Sequence, residues 1–413
     1  MSHPNPLEAQ TSASKPIANI VLAENSAHEA PNAEKKSMQS ETGYTTHYTF
    51  TASKYDELTW QRLLPKSLEG YRYHLAFELA KVEGFKVGYV SILKGRTVAM
   101  IVPVFITNYS LDTTVQGALK NVTSRIQKWL PNLLSIKLLC VGSPITDSAQ
   151  IGFLRDQPLD PEILNVLNQK LEEVADKEGA KVIAFKDMLE TDLKQMMPLI
   201  EKHGFTQVDN MPVAKNAIYF KNLDEYLSTL SYSTRKSLRR KMKAFKEVRI
   251  EEYDGMPPHM EDIYQLYLNC YEKSELKFEK LTLAFFESLA GLMPKQCRFV
   301  LYFVEEELIG FNCLLLGNQI MMDKYIGMDY EHSTRLNLYT LSWLHNIQMC
   351  IRDGFKTFQS GQAAYATKLS YGATLENTFV LFKHRNKVMN RILKMASNVL
   401  AYANFDEALK NKS

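Results

Sequence analysis

The stretch CRFVLYFVEEELIGFNCLLLGNQIMMDKYIGMD, residues 297–329, constrains the fold more than any other part of this 413-residue chain. Three apolar runs are separated by short polar turns, and runs so closely spaced fold back on their neighbours. The segment therefore predicts an antiparallel meander. Glu305, Glu306 and Glu307 interrupt its apolar character, and no stretch of the chain reaches the roughly 18 apolar residues that a membrane-spanning helix needs.

Around the meander the pattern alternates between helical and strand periods. Before it, basic residues near 231–247 predict a helix, VRIEEYD a short strand, and 258–273 and 280–292 two more helices. After it, TRLNLYTLSWLHNIQMCIRDG reads as one helix, capped by Ser333 or Thr334 and ended by Gly354, with apolar residues on two sides of the wheel. FKTFQSG follows as a strand, AAYATKLSYG as a short helix, TLENTFVLFKHR as a strand pair, and 386–408 as a closing amphipathic helix.

The first half shows a similar succession. Helices are expected at 55–64 and 71–83, a hairpin over KVGYVSILKGRTVAMIVPVFI turning at Lys94-Gly95, and strands at LSIKLLCVG and AKVIAFKD. Between those strands, Asp160-Pro161 opens and Gly179 closes a helix. Residues 1–43 contain no Phe, Trp or Tyr and read as a disordered tail.

Charge and cysteine content narrow the functional classes. With 49 basic against 46 acidic residues, the chain lacks the broad cation excess of a nucleic-acid coat protein, and no DNA partner is expected. The five cysteines are far apart, without a C-x-x-C pair or histidines at metal-ligand spacing, so they read as core residues of a soluble, cytoplasmic protein, and no metal is expected. Positive charge is instead local. On a helical wheel Arg235, Lys236, Arg239, Arg240, Lys243 and Lys246 fall within an arc of roughly 140°, opposite Leu238, Met242, Phe245 and Val248. Such an arc reads equally as a solvated face or as a site for phosphate or a polyanion.

The order of these segments carries a resemblance. LSTLSYSTRKSLRRKMKAF, the meander, a helix, DGFKTFQSGQ and YATKLSYGATLENTFVLFKHR together resemble the Fem-like branch of the GNAT N-acyltransferase superfamily, the bacterial peptidoglycan-biosynthesis-like acetyltransferases. The likeness is strongest over 222–390, above all at Tyr365, Lys368 and Gly372, and weaker over 45–220. It implies a mixed α/β fold of tandem GNAT-like domains at 44–220 and 221–390, each a mixed, partly antiparallel sheet flanked by helices, with 391–413 as a C-terminal helix and tail. It further implies transfer of an acyl group, acetyl in the first instance, from a CoA thioester to an amine on a small molecule or cell-wall precursor. An aminoacyl-tRNA donor is the alternative within the family, with tRNA held by the cationic arc. A binding protein on a degenerate scaffold is a third reading, because GMDYEHSTRLN lacks the glycines of the family's pyrophosphate loop.

The resemblance points to Lys368, and the residues themselves offer further candidates. Lys368 is assigned to the reaction cleft, with Tyr365 on the same helix face. Tyr325 and Asp329 are candidate acid and base, with Asp323 expected on the same face of its strand as Tyr325 by simple alternation. Gln359 and Gln362, at a strand end, are candidates for substrate binding together with Asp323, Arg235, Arg239 and Arg240. A helix N-terminus near Thr334, Arg335 and Leu336 is the remaining place for a donor's phosphates. Each of these also has a purely structural reading, as a loop amide, a surface cation or a cap.

Overall fold

The computed structural model describes residues 43–65, 67–110, 135–155, 159–274 and 277–400. The tail expected over 1–43 lies, apart from Gly43, outside the described residues, as do residues 401–413. Fifteen strands are described: β1 (Tyr44–Thr49), β2 (Lys86–Lys94), β3 (Thr97–Ser110), β4 (Ser135–Val141), β5 (Gly152–Phe153), β6 (Val182–Leu189), β7 (Thr206–Asp209), β8 (Val213–Ala217), β9 (Arg249–Asp254), β10 (Cys297–Val304), β11 (Glu307–Leu316), β12 (Ile320–Met328), β13 (Thr357–Gly361), β14 (Thr374–Glu376) and β15 (Thr378–His384). They form two sheets. The first runs β1-β2-β3-β4-β6-β15-β7, with β5 on β3, and the second runs β14-β8-β13-β12-β11-β10-β9. Each sheet is mixed: β4/β6 and β12/β13 are parallel and the other pairs are antiparallel.

The meander is present as β10, β11 and β12, extended by β9. Its alternation divides the side chains between two layers. Phe299, Leu301, Phe311, Cys313 and Met322 face the helices Met260–Lys273 and Leu283–Leu292. Val300, Tyr302, Leu314 and Met321 face the helix Leu338–Asp353. In the first sheet, Val104, Ile106, Leu139, Val141, Ile183 and Phe185 pack under the helices Pro161–Glu178 and Glu190–His203. The caps expected for the first of these helices are there: the Asp160 carboxylate accepts from Glu162 N, and Gly179 turns left-handed at φ 70°.

Several local expectations are corrected. The sequence following the meander forms two helices, Tyr330–Leu336 and Leu338–Asp353, because Asn337 turns left-handed at φ 55° between them. The basic segment is α-helical only over Tyr232–Lys241 and tightens to a 3₁₀ helix over Met242–Glu247, which changes the phase of its wheel. The pair expected in TLENTFVLFKHR is no pair: β14 joins β8 in the second sheet, while β15 lies between β6 and β7 in the first. Similarly, β8 precedes residue 220 yet belongs to the second sheet. Each sheet thus completes itself with a strand from the other half of the chain.

Alternation fails at one consequential place. Register shifts between Cys313 and Leu314, which oppose Tyr325 and Asp323, so Lys324 is an extra, unpaired residue in β12. The bulge reverses the phase beyond it. Asp323 faces the Leu338–Asp353 helix and Tyr325 the opposite layer, overturning the expectation that they share a face. Two residues further on, Gly327 allows the Met260–Lys273 helix to approach closely. A Cβ there would stand 2.6 Å from Leu266 C and 2.7 Å from Tyr267 N. Gly327→Ala is expected to destabilise the fold by about 3 kcal/mol, read as a lower denaturant midpoint with an unchanged slope.

Candidate active site

A cavity of about 840 Å³ lies between the two sheets. It opens where β12 and β13 separate: their parallel pairing covers only Ile320–Met322 against Thr357–Gln359, and the bulge follows directly on β12. Asp323, Lys324, Tyr325 and Ile326 line it from β12, and Ser360, Gly361, Gln362 and Lys368 from β13 and the Tyr365–Ser370 helix.

Lys368 closes the gap between the splayed strands. It is 4% exposed, and its Nζ donates to Ser360 O at 2.5 Å, Gln362 O at 3.1 Å and Gly361 O at 3.3 Å. These carbonyls are turned inward by a run of left-handed residues, Gly361 (φ 69°), Ala363 (φ 67°) and Ala364 (φ 52°). Each alanine conformation costs about 1–2 kcal/mol, which the charge-assisted bonds to Lys368 offset. Burial pulls the Lys368 ammonium down to about 8, against the opposing charges of Asp323 and Asp147.

Asp323 lines the same cavity, within reach of the ammonium's charge. Its Oδ1 and Oδ2 accept from Asn312 Nδ2 at 2.9 and 3.1 Å, and Oδ2 accepts from Asn346 Nδ2 at 3.1 Å. Tyr302 Oη donates to Asn312 Oδ1 at 2.9 Å and fixes the amide that points at Asp323. Burial nevertheless pushes the carboxyl up to about 6, with the asparagine bonds and Lys368 acting the other way.

The bulged Lys324 carries the second cluster. Its ammonium pairs with Glu69 Oε1 at 2.5 Å and Asp147 Oδ1 at 2.6 Å, and Gln359 Nε2 donates to Asp147 Oδ2 at 2.9 Å. Asp147 N donates to Glu69 Oε1 at 2.9 Å. Two buried carboxylates therefore share one cation. Burial pushes Glu69 up to about 7 despite Lys324. Asp147 is also buried, and desolvation is the largest single influence on it, but the charge and hydrogen bond of Lys324, the Gln359 hydrogen bond and the Lys186 charge together hold it below the ordinary carboxylate range. A third cation, Lys186 of β6, pairs with Asp187 and donates to Ser143 O at 3.1 Å and Thr146 O at 3.0 Å. Asn210 Nδ2 and Gln362 Nε2 both donate to Asp187 Oδ1.

The nominated residues divide into three groups. Lys368, Asp323, Tyr325 and Gln362 line the cavity, with Tyr325 Oη 2.7 Å from Tyr73 Oη. Tyr365 and Gln359 stand just behind it: Tyr365 Oη donates to Pro212 O at 2.8 Å, and Gln359 orients Asp147. The others are not among the lining residues. Asp329 is the N-cap of the Tyr330–Leu336 helix, accepting from His332 N at 2.9 Å. Thr334 Oγ1 donates back to Tyr330 O, Arg335 pairs with Glu247, and Leu336 is in the core, so these three occupy the far end of a helix whose N-terminus already holds a carboxylate. Arg235 donates to Ser228 O and Leu230 O, Arg239 lies 3.6 Å from Asp224, and Arg240 is exposed on the outer face.

Glu69, Asp147, Lys186 and Asp187 were not nominated by the sequence. The one local signal is for Lys186 and Asp187, a Lys-Asp pair at the end of the apolar strand AKVIAFKD, where a charge is out of keeping with the alternation. Among the described residues, no group of three or more His, Cys, Asp or Glu side chains is placed to hold a metal ion, and no helix is long and apolar enough to cross a membrane.

Comparison with known proteins agrees with this architecture. Residues 76–399 match the FemAB-like family, described as peptidoglycan biosynthesis/recognition, and the chain belongs to that family. Its fold is similar to that of FemX at a TM-score of 0.53 and 11% identity, covering 84% of this chain and 100% of FemX. A tandem GNAT protein from the clavulanic acid biosynthesis pathway matches at a TM-score of 0.49 and 11% identity, over 82% of this chain and 98% of that one. The C-terminal domain of a putative lysylphosphatidylglycerol synthetase from Agrobacterium fabrum matches at 0.43 and 13%, over 71% and 83%. No curated protein sequence matches the chain.

Lys324→Met would leave Glu69 and Asp147 buried without their cation, and is expected to cost about 3–5 kcal/mol of stability. Because Glu69 takes up a proton as pH falls through about 7, the loss should shrink below that pH and grow above it. Chemical denaturation of both proteins at pH 5.5 and pH 8, roughly one unit or more either side of that value, reads the difference.

Proposed function

We propose that the protein is an N-acyltransferase whose reaction takes place in the inter-sheet cavity, between an activated acyl donor and an amine of a small molecule or cell-wall precursor. The observation that carries this reading is that Asp323 and Lys368 line one cavity where β12 and β13 part, each within reach of the other's charge. Family membership supports a cell-wall-precursor acceptor.

In this reading the Asp323 carboxylate takes a proton from the incoming ammonium, and the neutral amine attacks the acyl carbonyl. The Lys368 ammonium faces the developing oxyanion; its longest bond, to Gly361 O, is the one a substrate oxygen displaces. Collapse of the tetrahedral intermediate expels the leaving group, which takes the second amine proton. With a CoA thioester as donor, the sulfur departs as a thiolate and, on taking that proton, is released as the free thiol. The diphosphate of such a donor would not sit on the Tyr330–Leu336 helix, where Asp329 already occupies the N-terminus.

A second reading, an aminoacyl-tRNA donor, is favoured by the exposure of Lys236, Arg239, Arg240, Lys243 and Lys246 along one short segment. It requires tRNA binding that weakens steeply with salt. Absence of tRNA retention on filters at low ionic strength removes it.

The transferase reading is tested by incubating the protein with acetyl-CoA and a panel of amines and following free thiol. Activity requires Asp323 ionised and Lys368 charged, so kcat/KM should rise with pH through about 6 and fall through about 8. Asp323→Asn should lower kcat about a hundred- to ten-thousandfold and abolish the acidic limb. Lys368→Met should lower it about a hundred- to a thousandfold and abolish the alkaline limb. A flat profile in the wild type rules the reading out, and the absence of thiol release above background with acetyl-, octanoyl- and palmitoyl-CoA alike rules out a CoA thioester as the donor.

A further inference from the structure

The first sheet has one face covered by the Pro161–Glu178 and Glu190–His203 helices, but its other face forms a wall of the cavity. That wall is apolar and is built by alternate residues of adjacent strands, among them Phe105, Leu138, Cys140, Ala184, Val208 and Phe382. Backbone register sets Phe105 beside Cys140, Cys140 beside Ala184 and Ala184 beside Phe382. The row reads large, small, small, large, so the floor is a trough running along β4 and β6. Phe278, Ile326 and Leu393 line the cavity as well.

The trough has a direction. Along β6 the lining residues are Val182, Ala184 and then Lys186, and along β4 they are Ile136, Leu138 and Cys140. Four residue steps of strand give an apolar length of about 13 Å, ending where Lys186 and Lys368 present their ammonium groups. A ligand that fills it has an extended hydrocarbon body and, at one end, an oxygen-bearing head. An acyl group meets that description, with its carbonyl toward the cations.

We propose that this trough holds the aliphatic chain of the donor's acyl group, so that the protein transfers medium or long acyl chains in preference to acetyl. The inference rests on the transferase reading for its chemistry, but the trough itself is tested by binding alone. Full-length protein is loaded with a fluorescent polyene fatty acid, which is then displaced by hexanoate, octanoate, decanoate and palmitate.

Affinity should rise roughly three- to fourfold per methylene until the trough is full. Ala184→Trp, which fills the floor, should weaken decanoate binding at least tenfold. Cys140→Leu, a milder obstruction in the neighbouring strand, should shift the plateau to shorter acids if the tryptophan variant does not fold. Acids that bind with no dependence on length, or equally well to both folded variants, overturn the proposal. So does a transfer rate that follows the chain length of the amine instead of the donor. If fatty acids bind as expected while no thioester is ever consumed, the trough stands and the transferase reading falls. If acetyl transfer proceeds with length-independent binding, the reverse holds.

Discussion

The Lys324 ammonium, shared between Glu69 and Asp147, is the interaction on which the rest of the site depends. Its partners come from two separate loops of the first half of the chain, and Lys324 itself is the bulged residue of the meander's last strand. Charges so deeply buried persist only when paired and hydrogen-bonded. Asp147 N and Gln359 complete that requirement, so the loops that carry Glu69 and Asp147 are tied to the strand that carries Asp323. The cavity is what remains between sheets held in that way.

The same bulge has a second effect. It reverses the alternation of β12, sending Asp323 to the Leu338–Asp353 helix and Tyr325 to Tyr73. Beyond it β13 no longer pairs with β12, and the carbonyls freed at Ser360, Gly361 and Gln362 turn to Lys368. One extra residue in one strand thereby separates two candidate groups and sets two others, Asp323 and Lys368, on one cavity. Their protonation behaviour follows from position: burial raises the carboxyl and lowers the ammonium, so both titrate near neutrality.

Cation clusters elsewhere on the molecule play a different part. The basic helix that dominates the local charge of the sequence lies outside the cavity, anchored through Leu238 and tied to backbone carbonyls by Arg235. The buried cations of the cavity, Lys186, Lys324 and Lys368, stand singly in apolar or loop sequence and form no run, whereas Lys277, which also lines it from a charged stretch, is partly exposed. High charge density in a sequence marks solvated surface more readily than a buried site, because a buried charge needs room for its own partners.

Local pattern was enough to determine the meander, the Asp160-Pro161 to Gly179 helix, the β2/β3 hairpin and the placement of Lys368 beyond a strand end, since each depends on residues near in sequence. Periodicity alone did not distinguish one long helix from two around Asn337, because a single left-handed residue leaves the apolar spacing almost unchanged. Nor did it reveal that β8 and β15 exchange sheets, or that Glu69 and Asp147 meet Lys324 across more than 170 residues. Those decisions belong to the tertiary structure. A strand's partners and a buried charge's counter-ion are chosen by which surfaces close together, and no window of sequence contains both sides of that contact.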